Sequence, residues 1–284
     1  MRKVLLILIL AVALTWNPGQ AAGWEKIWGP VGTVVVNYDQ IEQKVRLFAT
    51  DPDTGDIYRY KGTPNQWEKV GGPGKKFVAA SGRLNGLSPD GKGIWQFSSR
   101  PNEWTQISGP VDDIYGGVGG LYSINSQTKD IYRYKGAANS WEKVGGPGKK
   151  FAVGGTNKLY GISPDGAGVW MYKAPLDWIQ IGGPAAEIYA AGNNLFATNP
   201  ETGDLYMYKG TPNVWERIGG PGKMFAAGGG TIYGISPDGQ GVWKYMGMPD
   251  SWTQVGGPAG AIFAGGSELY ATNPDTNALY RYTP

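Results

Sequence analysis

A tryptophan recurs along this chain with a fixed period. Trp67, Trp104, Trp141, Trp178, Trp215 and Trp252 follow one another at 37-residue intervals, and a seventh, Trp24, stands 43 residues before Trp67. Each is followed three residues later by Ile or Val, and shortly after that by a Gly-Pro pair. A fixed period between 20 and 50 residues marks a repeat architecture, in which one supersecondary unit is copied and stacked. The unit therefore has to be understood before any single motif.

One copy shows its plan. Trp178-Ile179-Gln180-Ile181, Ile188-Tyr189-Ala190-Ala191, Leu195-Phe196-Ala197-Thr198 and Leu205-Tyr206-Met207-Tyr208 are short runs rich in aromatic and β-branched residues. Gly182-Gly183-Pro184, Gly192-Asn193 and Asn199-Pro200-Glu201-Thr202-Gly203-Asp204 separate them. Short runs with such punctuation read as strands joined by tight turns. No segment keeps a 3.6-residue apolar period, so the chain reads as all-β. The 47 Gly and 20 Pro could mark a low-complexity chain, but 13% aromatics and the strict period argue for packed, turn-rich sheets. Four antiparallel strands in about 37 residues predict the blade of a β-propeller.

The two ends complement each other. The last copy stops at Leu279-Tyr280-Arg281-Tyr282, three strands into its unit, and the missing Trp-x-x-Ile strand stands alone at Trp24-Glu25-Lys26-Ile27. Pairing the two completes a blade and leaves no open sheet edge. The expectation is a seven-bladed β-propeller of four-stranded antiparallel blades over residues 22–284, closed by its N- and C-terminal strands. Residues 1–21 read separately, as a secretory signal. Arg2 and Lys3 precede an apolar run from Val4 to Leu14, and Gly19-Gln20-Ala21 offers small residues for cleavage. The run is short for a membrane span, and no later stretch approaches the ~18 apolar residues one needs. A secreted protein, extracellular or periplasmic, is the expectation.

Composition removes several chemistries. The chain has no Cys and no His, which excludes Cys/His metal sites, Ser-His-Asp triads and imidazole bases. The net charge is +3, with both signs interspersed, so no basic stripe argues for nucleic acid. No cofactor or metal is expected.

A second period overlays the first. Asp56-Ile57-Tyr58-Arg59-Tyr60, Asp130-Ile131-Tyr132-Arg133-Tyr134 and Asp204-Leu205-Tyr206-Met207-Tyr208 recur in alternate units, with Leu279-Tyr280-Arg281-Tyr282 as the last member. Between them stand Ser88-Pro89-Asp90-Gly91-Lys92-Gly93-Ile94-Trp95 and its equivalents, Ser163 to Trp170 and Ser236 to Trp243. The ring thus reads as duplicated pairs of blades, and a site built on one type should occur three times.

The pattern Trp-x-x-Val/Ile-x-Gly, Ile-Tyr-x-x-Gly, Leu-Tyr-x-Ile/Thr-Asn and Ile-Tyr-Arg resembles the tectonin repeat, over Trp24 to Pro284. The resemblance implies a multivalent lectin that recognises surface glycans such as bacterial lipopolysaccharide or modified sugars. The Gly-Gly-Pro-Gly insert and the Ser-Pro-Asp-Gly turns depart from that family's pattern. A propeller scaffold for protein–protein interaction is the alternative.

The candidate carbohydrate-binding residues are Trp95, Trp170 and Trp243, with Asp90, Asp165 and Asp238 and with Lys76, Lys150 and Lys223. An indole face stacks on a pyranose and neighbouring polar groups orient its hydroxyls. Strand alternation sets each tryptophan on the side of Phe97, Tyr172 or Tyr245, which favours burial between blades instead. The aspartates suit turns, where Asp bonds its own backbone. The lysines serve either as solvated loop residues or as point charges for acidic groups. Several weak sites on one rigid ring would gain avidity on a polyvalent surface.

The seven repeated tryptophans read as packing. Asp51 to Asp56 has oxygen ligands at alternate positions, but its counterpart from Asn125 to Asp130 lacks most of the carboxylates, which argues against calcium. A glycosidase needs two carboxylates; here the acids recur in copies whereas a catalytic site is normally unique, so no enzyme activity is expected. The irregular stretch from Thr33 to Lys44, with Asp39 and Glu42, is where a single specialised site would lie.

Overall fold

Strands of four to seven residues broken by left-handed turns pair with their sequence neighbours, because the hairpin is the cheapest contact the chain can close. The computed structural model describes residues 23–39 and 42–284; the segment read as a secretory signal lies outside them. The described residues form seven four-stranded antiparallel sheets and no helix. The protein is a seven-bladed β-propeller. Blades 1 to 6 span 34–71, 76–108, 111–145, 150–182, 188–219 and 224–256. Blade 7 joins Ile262–Gly265, Glu268–Thr272 and Leu279–Tyr282 to the N-terminal strand Trp24–Trp28. Trp24 pairs with Tyr282 and Glu25 with Arg281, and the latter pair adds a 3.0 Å ion pair to the closure.

The Trp-x-x-Ile spacing has a direct cause. In every blade the repeated Trp heads the outermost strand, and its indole N–H donates to the carbonyl of the Ile or Val three residues after the preceding blade's Trp. The acceptors are Ile27, Val70, Ile107, Val144, Ile181, Ile218 and Val255, at 2.6 to 3.0 Å. Seven equivalent bonds thus form a hoop around the ring. Five of these carbonyls accept a second bond, from the backbone N–H of Asn65, Asn102, Asn139, Asn213 or Asp250. Those residues hold φ between 53° and 62°, a left-handed conformation that Asn and Asp tolerate well. Blade 4 departs from the rule, placing Leu176 at φ 58°, 60% exposed.

Seven apolar clusters lie between adjacent blades. Their contents alternate. In blades 2, 4 and 6 a phenylalanine of the innermost strand faces a glycine across the hairpin: Phe77 and Gly86, Phe151 and Gly161, Phe225 and Gly234. Blades 3, 5 and 7 pair Ile114 with Ser123, Ile188 with Ala197 and Ile262 with Ala271. Large-plus-none and medium-plus-small fill similar volume, as close packing demands.

The irregular stretch is the hairpin of Val34–Asp39 and Lys44–Thr50 in blade 1. Both of its carboxylates bind one guanidinium: Arg46 lies 3.1 Å from Asp39 and 2.7 Å from Glu42. Tyr38 and Val45 press on Gly266, where a Cβ would come within 2.8 Å of each. The hairpin therefore fastens blade 1 to blade 7 at the mouth of the central channel.

Candidate functional site: the rim clefts of alternate blades

Where the Gly-Pro linker leaves one blade and enters the next, it bridges a cleft at the rim. In blade 4 the cleft measures about 250 Å³ and lies between Gly146-Pro147-Gly148 and Ser163-Pro164, walled by Trp170, Trp178 and Phe151. Glycine sets its depth. A Cβ on Gly161 would approach Phe151 to 3.0 Å, and one on Gly148 would approach it to 2.6 Å. The same residue types recur around Trp95 in blade 2 and Trp243 in blade 6. Blade 5 carries a smaller version of about 160 Å³, with Ala185 and Ala197 in place of glycines and Tyr206 in place of Trp170.

Trp95 is 37% exposed, among the few large exposed apolar side chains, while Trp170 and Trp243 are half-buried. Burial between blades, which strand alternation favours, does not hold for Trp95. Phe97, two residues further on the same strand, fills the interblade core in its place. The tryptophans have partners that the alternation of outer strands signals, as Trp-x-Gln against Trp-Glu-Lys or Trp-Glu-Arg, beyond the residues expected from the turns and lysines alone. Gln106, Gln180 and Gln254 sit directly across the sheet from Trp95, Trp170 and Trp243. Indole nitrogen and amide converge above Gly93, Gly168 and Gly241, where a Cβ would meet both at 2.7 to 3.2 Å. Each amide donates to a backbone carbonyl, of Ser108, Gly182 or Gly256. The three indole N–H groups make no hydrogen bond with the described residues.

The other blade type closes the same position with charge. Lys69 pairs with Asp56 at 2.5 Å, Lys143 with Asp130 at 2.7 Å and Arg217 with Asp204 at 3.2 Å. The hydrogen bond from its basic partner holds the carboxyl of Asp130, and likewise of Asp204, below the ordinary aspartate range. These blades spend their polar groups internally; the tryptophan blades leave an indole donor without a partner among the described residues.

Asp90, Asp165 and Asp238 build equivalent turns, of which the Asp165 turn walls the blade 4 cleft through Ser163 and Pro164. In each, the hydroxyl of Ser88, Ser163 or Ser236 donates to the carboxylate at 2.6 to 2.7 Å and accepts a backbone N–H at 2.9 to 3.0 Å. The backbone N–H of Lys92, Ala167 or Gln240 donates to the same carboxylate oxygen. These bonds lower all three carboxyls, led by the backbone bond at Asp90 and by the serine bond at Asp165 and Asp238.

The lysines divide. Lys76 lies 2.8 Å from Asp113 and 4.5 Å over the Tyr115 ring, and Lys150 pairs with Glu187 beside Tyr189. Lys223 is not their equivalent. Met224 holds that position, and Lys223 matches Lys149, each reaching over its turn to within 3.5 Å of where a Gly166 or Gly239 Cβ would stand. Thus the structure gathers Trp170, Gln180, Lys149 and the Asp165 turn at one rim, and keeps Lys150 near the channel.

No family model matches the chain, and no curated protein matches it in sequence. Solved structures do. Virginiamycin B lyase from Staphylococcus aureus superposes with a TM-score of 0.66 at 11% identity, covering 92% of this chain and 99% of that one. YCF48 from Cyanidioschyzon merolae gives 0.64 at 12% identity, covering 93% and 99%. The ectodomain of the receptor kinase CR4 from Physcomitrella patens gives 0.57 at 13% identity, covering 86% and 72%. The likeness is one of fold. It places the chain among propellers that differ in what they do.

Among the described residues no group of three or more Asp or Glu side chains is placed to hold a metal ion. At Asp51 one carboxylate oxygen accepts the backbone N–H groups of Asp53 and Thr54 and the Thr54 hydroxyl.

Proposed function

We propose that this protein is a non-enzymatic binding scaffold whose working surface is the rim bearing the Trp95, Trp170 and Trp243 clefts, and that its partners are proteins. The observation that carries this is the aromatic-walled cleft of blade 4, together with the recurrence on three alternate blades of the same Trp–Gln pair, whose indole N–H has no partner among the described residues. Pockets walled by aromatic side chains with a few fixed polar groups are where binding energy concentrates. Repetition then adds avidity without new contacts. Among proteins of this fold, YCF48 has been solved bound to a D1 peptide. That supports the reading by analogy of fold.

The exposed Trp95 and the half-buried Trp170 and Trp243 also favour a second reading: a secreted lectin of tectonin-like type, in which pyranose rings stack on these indoles. One experiment separates the two. The purified protein is screened on a random-peptide array and on a glycan array that includes lipopolysaccharides and O-methylated sugars. Peptide binding that falls at least tenfold when Trp95, Trp170 and Trp243 are all changed to Ala supports the scaffold. Glycan binding with the same loss, and no peptide binding, replaces it with the lectin. Binding of either kind that survives the triple change moves the site away from these clefts.

A further inference from the structure

One junction of the ring differs from the rest. The residue four places after the repeated Trp is glycine at Gly71, Gly145, Gly182, Gly219 and Gly256 and serine at Ser108, but at the seam between blades 7 and 1 it is Trp28. Its side chain is half-buried. It stacks on Trp67 at 4.6 Å between centroids and 24° between planes, and it packs on Tyr58 at 5.2 Å. Repeat register makes Trp67 the equivalent of Trp215 and Tyr58 the equivalent of Tyr206, the two aromatic walls of the blade 5 cleft. Gly182, at the position of Trp28, also lines that cleft. The chain therefore fills with its own indole the space that stands open in blade 5.

We propose that the open interblade clefts take up a planar aromatic side chain of a protein partner, Trp28 being the built-in occupant at the seam; this rests on the scaffold reading above. The seam belongs to the smaller, tyrosine-walled kind of cleft, of about 160 Å³ in blade 5, and it still holds an indole between two rings. The blade 4 cleft, about 250 Å³ and walled by Trp170 and Trp178, has more room and more aromatic surface. Offset aromatic pairs favour such a ring over an aliphatic group of equal area. Buried Trp and Tyr anchors surrounded by a drier rim are the usual centres of protein recognition. A partner that presents two aromatic residues on a flexible segment would engage two clefts at once.

The test removes the occupant and offers it back. Trp28→Gly installs the residue that five other junctions already carry, so the ring has a working precedent for closing. An apolar space of this shape takes up a matching small molecule. With 5-fluoroindole as the probe, fluorine NMR is expected to count one more bound site in Trp28→Gly than in the wild type. Indole is expected to raise the variant's Tm by on the order of 2–4 °C more than it raises the wild type's. Trp28→Phe, which keeps a ring in place, should show neither gain. No gain in Trp28→Gly with indole overturns the proposal. An equal gain with methyl glucoside also overturns it, because the cleft would then not select an aromatic group. If Trp28→Gly does not fold, the wild type decides: 5-fluoroindole must bind, and Trp170→Ala must remove part of that binding. Peptide binding that persists while indole fails removes the aromatic occupant and leaves the scaffold. Indole binding without any peptide binding removes the scaffold and leaves the cleft chemistry.

Discussion

Blades 4 and 5 are built on one plan and end with different rims. Blade 4 sets Phe151 against Gly161 and carries Trp170 beside Gln180; blade 5 sets Ile188 against Ala197 and carries Tyr206 beside the Asp204–Arg217 pair. The first arrangement leaves a cleft of about 250 Å³ with an unpaired indole donor, the second a cleft of about 160 Å³ with its charges satisfied. The lesson is that a repeat can hold its interblade packing constant in volume while changing what it shows to solvent. The Phe–Gly pair and the Ile–Ala pair do the same work inside. The rim differs through Gly148 and Gly161 against Ala185 and Ala197, and through Trp170 and Gln180 against Tyr206 and Arg217.

The harshest way to break this comparison is to empty the blade 4 floor. Phe151→Ala should cost about 3–5 kcal/mol, the range for truncating a buried aromatic, read from chemical denaturation. Converting the pair is more informative. Gly161→Ala alone should destabilise by about 1–3 kcal/mol, since its Cβ would stand 3.0 Å from the Phe151 ring. Adding Phe151→Ile, which copies blade 5, should recover most of that loss. If the double variant is as unstable as the sum of the two singles, the volume account of the alternation is wrong.

The indole hoop gives a smaller contrast. At Ile181 the backbone N–H of Asn213 still reaches the carbonyl if Trp215 becomes Phe. At Val144, among the described contacts with the next blade, Trp178 is the donor and no backbone N–H joins it. Trp178→Phe should therefore cost more, about 1–3 kcal/mol for a buried carbonyl left without a donor, than Trp215→Phe, about 0.5–1.5 kcal/mol for one bond of two. Equal losses would show that the indole ring matters for its packing alone.

Acid should produce the mildest effect. The carboxyls of Asp90, Asp165 and Asp238 have folded pKa values below their ordinary 3.8. A depressed acid adds stability above its unfolded pKa and loses it as pH falls through the folded one, so the turns should weaken below about pH 4. All three are exposed, so the expected sign is a shallower fall of Tm between pH 4 and 2.5 in the variant Ser88→Ala, Ser163→Ala, Ser236→Ala than in the wild type. An unchanged slope would mean that the serine bonds do not lower these acids.

Much of this architecture is legible in the sequence because a repeat states its rule several times. The Trp spacing counts the blades, and the stranded Trp24-Glu25-Lys26-Ile27 element announces the closure. The three tryptophans at alternate positions mark the second kind of blade. What is hard to read is whatever occurs once or shifts by one residue. Trp28 looks like part of the first repeat, and nothing local says that its ring covers Trp67. Lys223 looks like a partner of Lys76 and Lys150, yet a single step in register sends it over the Asp238 turn while they join acids near the channel. Gln106, Gln180 and Gln254 are visible only when outer strands are compared between blade types.

By itself the sequence determined that the chain is all-β, that its unit is a four-stranded blade, that seven units close on themselves and that two kinds of blade alternate. Those are consequences of periodicity and turn chemistry, which act over a few residues and repeat. The tertiary structure decided which carbonyl each indole meets, which clefts stay open, and which one the chain fills for itself. The reason is geometric: each of these depends on the next blade, about 37 residues away in sequence but in van der Waals contact, and side-chain volume there is settled only when the ring closes.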